Sequence, residues 1–211
     1  MKIFSVCPLS FAANTYMLIS DNKALVVDPA VSVRAIERLL EEHGAELVGI
    51  LLTHGHFDHT VSVDTLRNKY PVPLMIHSGD APMLTNGMIN GFYDFYGQEC
   101  THRPAEQLLC DGEILKLGKE AIKIISTPGH SPGSICILCT DDEGKQFMIT
   151  GDTLFADSIG RCDLWCGSEE AIARSLQKLC AYDRSVIIYA GHGASSTLGS
   201  ALEGAKYYVD F

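Results

Sequence analysis

The sequence predicts an α/β protein in which two β-sheets pack against each other and carry helices on their outer faces. Three observations lead there. Short apolar or alternating runs of strand length recur through both halves of the 211-residue chain. In each half these strand runs are followed by helix-period segments. Finally, four of the apolar runs end in a Gly-flanked His or Asp, which suits strand ends converging on one place.

Taken in order, strands are expected near residues 2–6, 15–19 and 24–28, the last closing on Asp28-Pro29. Val33, Ile36, Leu39 and Leu40 form an apolar stripe opposite Glu37, Arg38, Glu41 and Glu42, so 33–42 reads as an amphipathic helix stopped by Gly44. A buried strand at 47–53 leads into a histidine cluster, and a helix follows to about Lys69. Pro71 and Pro73 frame a short strand ending at His77. Residues 79–104 are irregular. Gly87, Gly91 and Gly97 punctuate an aromatic run at 92–96, which reads equally as a lid over a pocket or as a short helix packing its rings on the core. Strands at 113–117, 120–126, 134–139 and 146–150 alternate with tight turns. Ala171, Ile172, Leu176 and Leu179 mark a helix over 169–180, Val186–Tyr189 is the last strand, and a short helix follows Ser200.

Composition bounds the function. With 46% hydrophobic residues, a chain of this length can bury roughly 70% of its unfolded surface, so residues 1–211 are expected to form one domain without disulfides. The net charge of −10 and the lack of any Lys/Arg cluster argue against nucleic acid as a partner. At the start, Lys2 is the single basic residue and Pro8 interrupts Ile3–Leu9, which favours a first strand over a secretory leader. No run approaches the ~18 apolar residues of a membrane span. The eight cysteines are irregularly spread, and Cys136 and Cys139 fall on opposite faces of a predicted strand. Free thiols and a reducing cytoplasm are the expectation.

The chemistry concentrates in His54-Gly-His56-Phe-Asp58-His59, three imidazoles and a carboxylate at the end of a strand. Nitrogen and carboxylate oxygen are the donors that a borderline divalent ion such as zinc takes. The other three strand ends repeat the design: Thr127-Pro-Gly-His130, Gly151-Asp152 and Gly191-His192-Gly193. Each alone reads as a turn, and Asp58 alone as a helix cap worth about 1 kcal/mol. Together they predict one shared metal site. Of the other histidines, His77 reads as a hydrogen-bonded core or rim residue rather than a pocket-lining one, and His43 and His102 as surface residues. Cys162 reads as a packing residue.

This ordered set closely resembles the metallo-β-lactamase superfamily, whose fold is a four-layer αββα sandwich with metals at one edge of the sheets. The resemblance implies that His54, His56 and His130 hold one metal, that Asp58, His59 and His192 hold the other, and that Asp152 bridges them. Two divalent ions are implied, zinc first, with iron or manganese as alternatives. Gly151-Asp152-Thr-Leu-Phe155 and Gly160-Arg161-Cys162-Asp163-Leu164 look like a stretch of hydroxyacylglutathione hydrolases (glyoxalase II) and their shorter relatives. Asn14-Thr-Tyr16, Asp28-Pro29 and Thr127-Pro-Gly-His-Ser-Pro-Gly133 also fit, so the likeness spans nearly the whole chain. Full glyoxalase II proteins carry a C-terminal helical domain that supplies much of the glutathione site. Here only Lys206, Tyr207 and Tyr208 stand near the end at Phe211, and no substrate role transfers to them.

The resemblance implies hydrolysis of a thioester or related ester of a small molecule, by hydroxide held between two metals. Asp58 would act as a catalytic residue, orienting the nucleophile or relaying a proton as well as binding metal. Asp28 is a candidate outer partner of a ligand imidazole, and Arg161 with Asp163 a candidate ion pair bracing the loop after Asp152. Persulfide dioxygenases, with one iron at the positions of His54, His130 and Asp152, are the nearest alternative, and lactonases use the same seven ligands. A β-lactamase is disfavoured, since the best-known zinc enzymes of that kind have Cys where Asp152 stands. The sequence sets no oligomeric state.

Overall fold

The computed structural model describes residues 1–6 and 12–211. Cys7, Pro8 and Leu9, part of the basis for preferring a strand to a leader, lie outside the described residues. Strand β1 (Lys2–Val6) starts the first sheet, followed by β2 (Thr15–Ser20) and β3 (Lys23–Val27), then helix α1 (Val33–His43) and β4 (Glu46–Leu51). A single 3₁₀ turn at Phe57–His59 precedes α2 (Val63–Lys69) and β5 (Leu74–His77). Two short helices, α3 (Ala81–Thr85) and α4 (Phe92–Tyr96), lead to β6 (Gln107–Leu109). The second sheet comprises β7 (Ile114–Leu117), β8 (Glu120–Ser126), β9 (Ile135–Thr140), β10 (Gln146–Gly151), β11 (Ile187–Ala190) and β12 (Ser196–Thr197). Helix α5 (Glu169–Leu179) interrupts that sheet's sequence, and α6 (Leu198–Ala205) follows it.

Both sheets are six-stranded and mixed, in the orders β1-β2-β3-β4-β5-β6 and β12-β11-β10-β9-β8-β7. Strand alternation builds three apolar layers out of continuous hydrophobic runs. Tyr16, Leu18, Leu25 and Val27 face Ile122, Ile124, Ile135 and Ile137 across the middle. Met17, Ile19 and Val26 point the other way, toward Ile36 and Leu40 of α1 and Leu66 of α2. Cys136, Leu138 and Met148 do the same beneath Ile172, Leu176 and Leu179 of α5 and Leu202 of α6. The result is the four-layer αββα sandwich. Cys136 and Cys139 lie in different layers, as period two requires, and burial raises both thiols, to about 11 and about 12. Seven free cysteines and no disulfide occur among the described residues, and no helix there is long and apolar enough to cross a membrane.

The differences from expectation have local causes. The strand expected at 47–53 ends at Leu51, because Thr53 leaves the sheet: its N–H donates to Asp28 Oδ1 (2.8 Å), and its carbonyl accepts from Ile135 N of the other sheet (2.9 Å). Strands β6 and β12, three and two residues long, are too short to show a period. The final helix starts at Leu198, before Ser200, with Thr197 Oγ1 capping Ser200 N at 3.2 Å. Within 79–104 the aromatic run is helical, yet Phe95 and Tyr96 are 63% and 61% exposed and do not pack on the core. His43 is half-buried and stacks on Phe4 at 3.9 Å, and His102 is half-buried rather than on the surface.

Candidate metal centre

Strands β4, β8, β10 and β11 all deliver their C-terminal ends to one edge of the sandwich. Three groups of side chains meet there, each with donor atoms within 4.8 Å of one another: His54, His56 and His130; His54, His59 and Asp152; Asp58, His59 and His192. All seven residues singled out in the sequence are thus together. Close approach is built into the glycines: a Cβ at Gly191 would lie 2.0 Å from Asp152 Oδ1 and 2.8 Å from His59 Cε1.

Hydrogen-bond direction orients three of the imidazoles, His54, His59 and His130. Thr53 Oγ1 lies 2.6 Å from the acceptor-only carboxylate of Asp28, so its one proton goes there. Thr53 Oγ1 therefore accepts from His54 Nδ1 (3.1 Å), leaving the His54 Nε2 lone pair facing the cluster. His130 Nδ1 donates to the Arg161 carbonyl (2.8 Å), and His59 Nδ1 donates to Asp28 Oδ2 (2.9 Å). The His130 Nε2 that this frees lies 2.8 Å from His56 Nδ1 and 3.2 Å from His54 Nε2. Several lone pairs crowding at such distances suit a cation at their centre. His56 Nε2, His59 Nε2 and Asp152 Oδ1 are buried with no hydrogen-bond partner, although His59 Nε2 faces Asp152 Oδ1 at 3.3 Å. Buried polar atoms rarely go unpaired, and metal ligation would account for the last two.

The electrostatics agree. Burial first, and then neighbouring imidazoles, depress the pKa of His54 and push His56 down to about 3, keeping both neutral as metal binding requires. Burial also opposes a charged His59, but the carboxylates of Asp152, Asp28 and Asp58 outweigh it and raise its pKa. Burial opposes ionisation of Asp152, and the surrounding His59, His130 and His192 override it, holding the carboxyl well below the usual carboxylate range. The pocket is therefore built for positive charge beside ionised carboxylates.

Asp28 reaches the cluster through an unusual backbone. Its φ is 48°, rare for a residue with a side chain, and Thr15 Oγ1 holds its carbonyl at 2.7 Å. Arg161 and Asp163 do pair, with Nε–Oδ1 at 2.6 Å, but both are exposed and such pairs stabilise little. The bracing at this loop comes from the backbone carbonyl of Arg161 on His130. His77 is a hydrogen-bonded rim residue, its Nδ1 accepting from Gly79 N at 3.1 Å and its Nε2 lying 2.9 Å from Ser126 Oγ. Cys162 packs beside α5 and α6, and burial raises its thiol.

Three contributors escaped the sequence reading. Thr53 orients His54. His102 places Nε2 3.0 Å from Thr60 Oγ1, directly after His59, and Nδ1 3.3 Å from Asp64 Oδ2. Asp80, fully buried, accepts from Gly55 N (3.0 Å), Ser131 Oγ (2.6 Å) and Gly133 N (2.6 Å), tying the His54–His59 loop to the one that carries His130. Asp80 had a signal: it follows β5 in the same strand-then-Gly-Asp arrangement as Asp152. Asp80→Ala is expected to orphan all three donors and to destabilise the protein by about 3 kcal/mol. Chemical denaturation measures this, and metal titration of the variant should show weakened binding. A cavity of about 580 Å³ lined by Phe4, His43, Lys119 and Asp142 lies at the opposite end of the sheets, away from every ligand-type cluster among the described residues.

Comparison with known proteins agrees with this architecture. Residues 10–192 match the family model of the metallo-β-lactamase superfamily. The probable metallo-hydrolase YqgX of Bacillus subtilis is 37% identical over 183 residues, covering 86% of this chain and 85% of that protein. Hydroxyacylglutathione hydrolase GloC of Haemophilus influenzae is 30% identical over 202 residues, 94% of each chain. Among solved structures, the BLEG-1 B3 metallo-β-lactamase superposes with a TM-score of 0.85 at 30% identity, covering 96% of this chain and 97% of that one. TTHA1623 in a di-iron-bound form gives 0.81 at 27% identity, covering 97% and 99%. With its αββα sandwich and His/Asp cluster at one sheet edge, the chain belongs to the metallo-β-lactamase superfamily of metallo-hydrolases.

Proposed function

We propose that the protein is a dinuclear metallo-hydrolase that cleaves a thioester or related ester of a small molecule. His54, His56 and His130 would hold one divalent ion and Asp58, His59 and His192 the second, with Asp152 available to both. The observation that carries this reading is the overlap of the three ligand-type groups around shared members, with imidazole nitrogens turned inward by Thr53, Asp28 and the Arg161 carbonyl. Bound there, two divalent ions supply a water acidified to near neutral pH and a positive field for a carbonyl oxygen.

The chain's own residues do the rest. Asp28 and the Arg161 carbonyl hold His59 and His130 in place from behind. Asp58 Oδ2 lies 3.2 Å from His192 Nε2, and its side chain is 23% exposed against 11% for Asp152. It is thus the more solvent-facing of the two carboxylates, suited to orient water and pass on a proton. Zinc is the proposed metal, and the di-iron form of TTHA1623 makes iron the first alternative, ahead of manganese.

The likeness to GloC supports a thioester. The likeness to BLEG-1, at equal identity and nearly full coverage, supports a second reading in which a β-lactam is cleaved by the same residues. Elemental analysis of freshly purified protein, with kcat/KM on lactoylglutathione, a simple acyl thioester, a lactone and a penicillin, tests both. Two metals per chain and the highest kcat/KM on a thioester are expected. One iron per chain, with oxygen uptake on a persulfide, overturns the hydrolase in favour of a dioxygenase.

A further inference from the structure

We propose that α4, together with Phe57 of the metal loop, forms a wall that binds an aromatic or bulky apolar group beside the scissile carbonyl. Preferred substrates are then thioesters carrying such a group, ahead of short ones. The reaction itself rests on the function proposed above.

Phe57 sits between His56 and Asp58 in sequence, and three rings of α4 gather round it. Phe92, Phe95 and Tyr96 have centroids 5.4, 5.7 and 5.9 Å away, and Phe92 and Tyr96 are 4.6 Å apart. Phe95 and Tyr96 are mostly exposed and contribute to none of the three apolar layers. Contiguous exposed rings beside a polar cluster are the make-up of a ligand pocket's apolar side rather than of a core. The wall begins beside the centre: Gly91, which precedes Phe92, runs so near His56 that a Cβ added there would stand 3.7 Å from its Cδ2.

It is pinned rather than loose. Phe57 N donates to the Asn90 carbonyl (3.0 Å), and the buried Asn90 side chain donates to Cys100 O (2.7 Å) and accepts from Phe92 N (3.1 Å). Thr60 Oγ1, which faces His102 Nε2 at 3.0 Å, donates to the Phe57 carbonyl (3.0 Å). The backbone that carries Phe57 and Phe92 is therefore fixed, which limits the ordering that binding requires.

The test compares acetyl and phenylacetyl thioesters of N-acetylcysteamine, and the S-benzyl thioester of acetate, in wild type, Tyr96→Phe and a Phe95→Ala/Tyr96→Ala double variant. Calorimetry with the non-hydrolysable S-phenethyl thioether of N-acetylcysteamine reads binding without turnover. The wild type should favour an aromatic substrate over the acetyl one by about 10-fold or more in kcat/KM. The double variant should narrow that ratio to about 3-fold or less and weaken thioether binding by about 10-fold, while Tyr96→Phe keeps both. Which aromatic thioester gains tells whether the wall serves the acyl or the thiol side. If no thioester is cleaved while thioether binding depends on Phe95 and Tyr96, the wall stands and the reaction fails. An unchanged ratio and unchanged binding in a double variant with wild-type thermal stability overturns the proposal. So does sedimentation showing a wild-type dimer that the double variant dissolves, since the patch then covers a second copy.

Discussion

Asp152→Ala is expected to release both divalent ions together and to lower kcat/KM by more than about 10²-fold, beyond the 10–100-fold typical of losing an outer partner of a ligand. The expectation follows from position. Asp152 Oδ1 lies 3.3 Å from His59 Nε2, while Oδ2 lies 3.5 Å from His192 Nε2 and 3.7 Å from His130 Nε2. It is the carboxylate that faces ligands of both proposed ions. The Asp152→Glu variant should rescue little, because Gly191 and His59 already crowd the carboxylate and an extra methylene has nowhere to go. Elemental analysis gives the direct readout. The rise in melting temperature on adding metal should also vanish, since binding stabilises the fold only while affinity lasts. Full metal content in Asp152→Ala would remove this residue from the centre.

The second large effect is expected at Asp28. This buried carboxylate accepts from Thr53 N (2.8 Å), Thr53 Oγ1 (2.6 Å) and His59 Nδ1 (2.9 Å). Asp28→Ala orphans all three donors inside the protein, for a loss of about 3–5 kcal/mol. In a chain of this size that corresponds to a fall in melting temperature of about 10 °C. Metal affinity should fall a further 10–100-fold or so, because both His59 and, through Thr53, His54 lose the bond that fixes their tautomer. Asp28→Asn separates the two effects. It tolerates the left-handed backbone and keeps an acceptor for Thr53 N, so it should lose metal affinity more than stability. Melting curves with and without chelator measure both, and an Asp28→Ala protein that melts and binds metal like wild type contradicts this account.

The ligand-type residues were legible because metal chemistry restricts residue type, and glycine marks where strand ends must approach closely. The His54–His59 cluster carries that signal in six residues. His130, Asp152 and His192 carry it by repeating one strand-to-glycine design, and the family resemblance followed from their order. Asp80 bears the same mark and was passed over, because a lone carboxylate after a strand reads as a turn until its donors are known. Thr53 and His102 bear no mark at all. A hydroxyl or an imidazole that orients another residue differs in nothing from a surface one until the chain brings its partner near.

By itself, then, the sequence determined the secondary structure of most of the chain, the two-sheet class and the donor set, since periodicity, turn residues and ligand type are local properties. Only the tertiary structure decided which way each imidazole faces, through Asp28, Thr53 and the Arg161 carbonyl. It also decided that the aromatic run at 92–96 turns its rings toward Phe57 and solvent rather than into the core. Both depend on hydrogen bonds and contacts between residues 25 or more positions apart, such as His59 with Asp28 and Phe57 with Asn90. Pairings at that separation leave no periodicity in the sequence, because they are fixed by how the sheets stack and not by the order of residues along a strand.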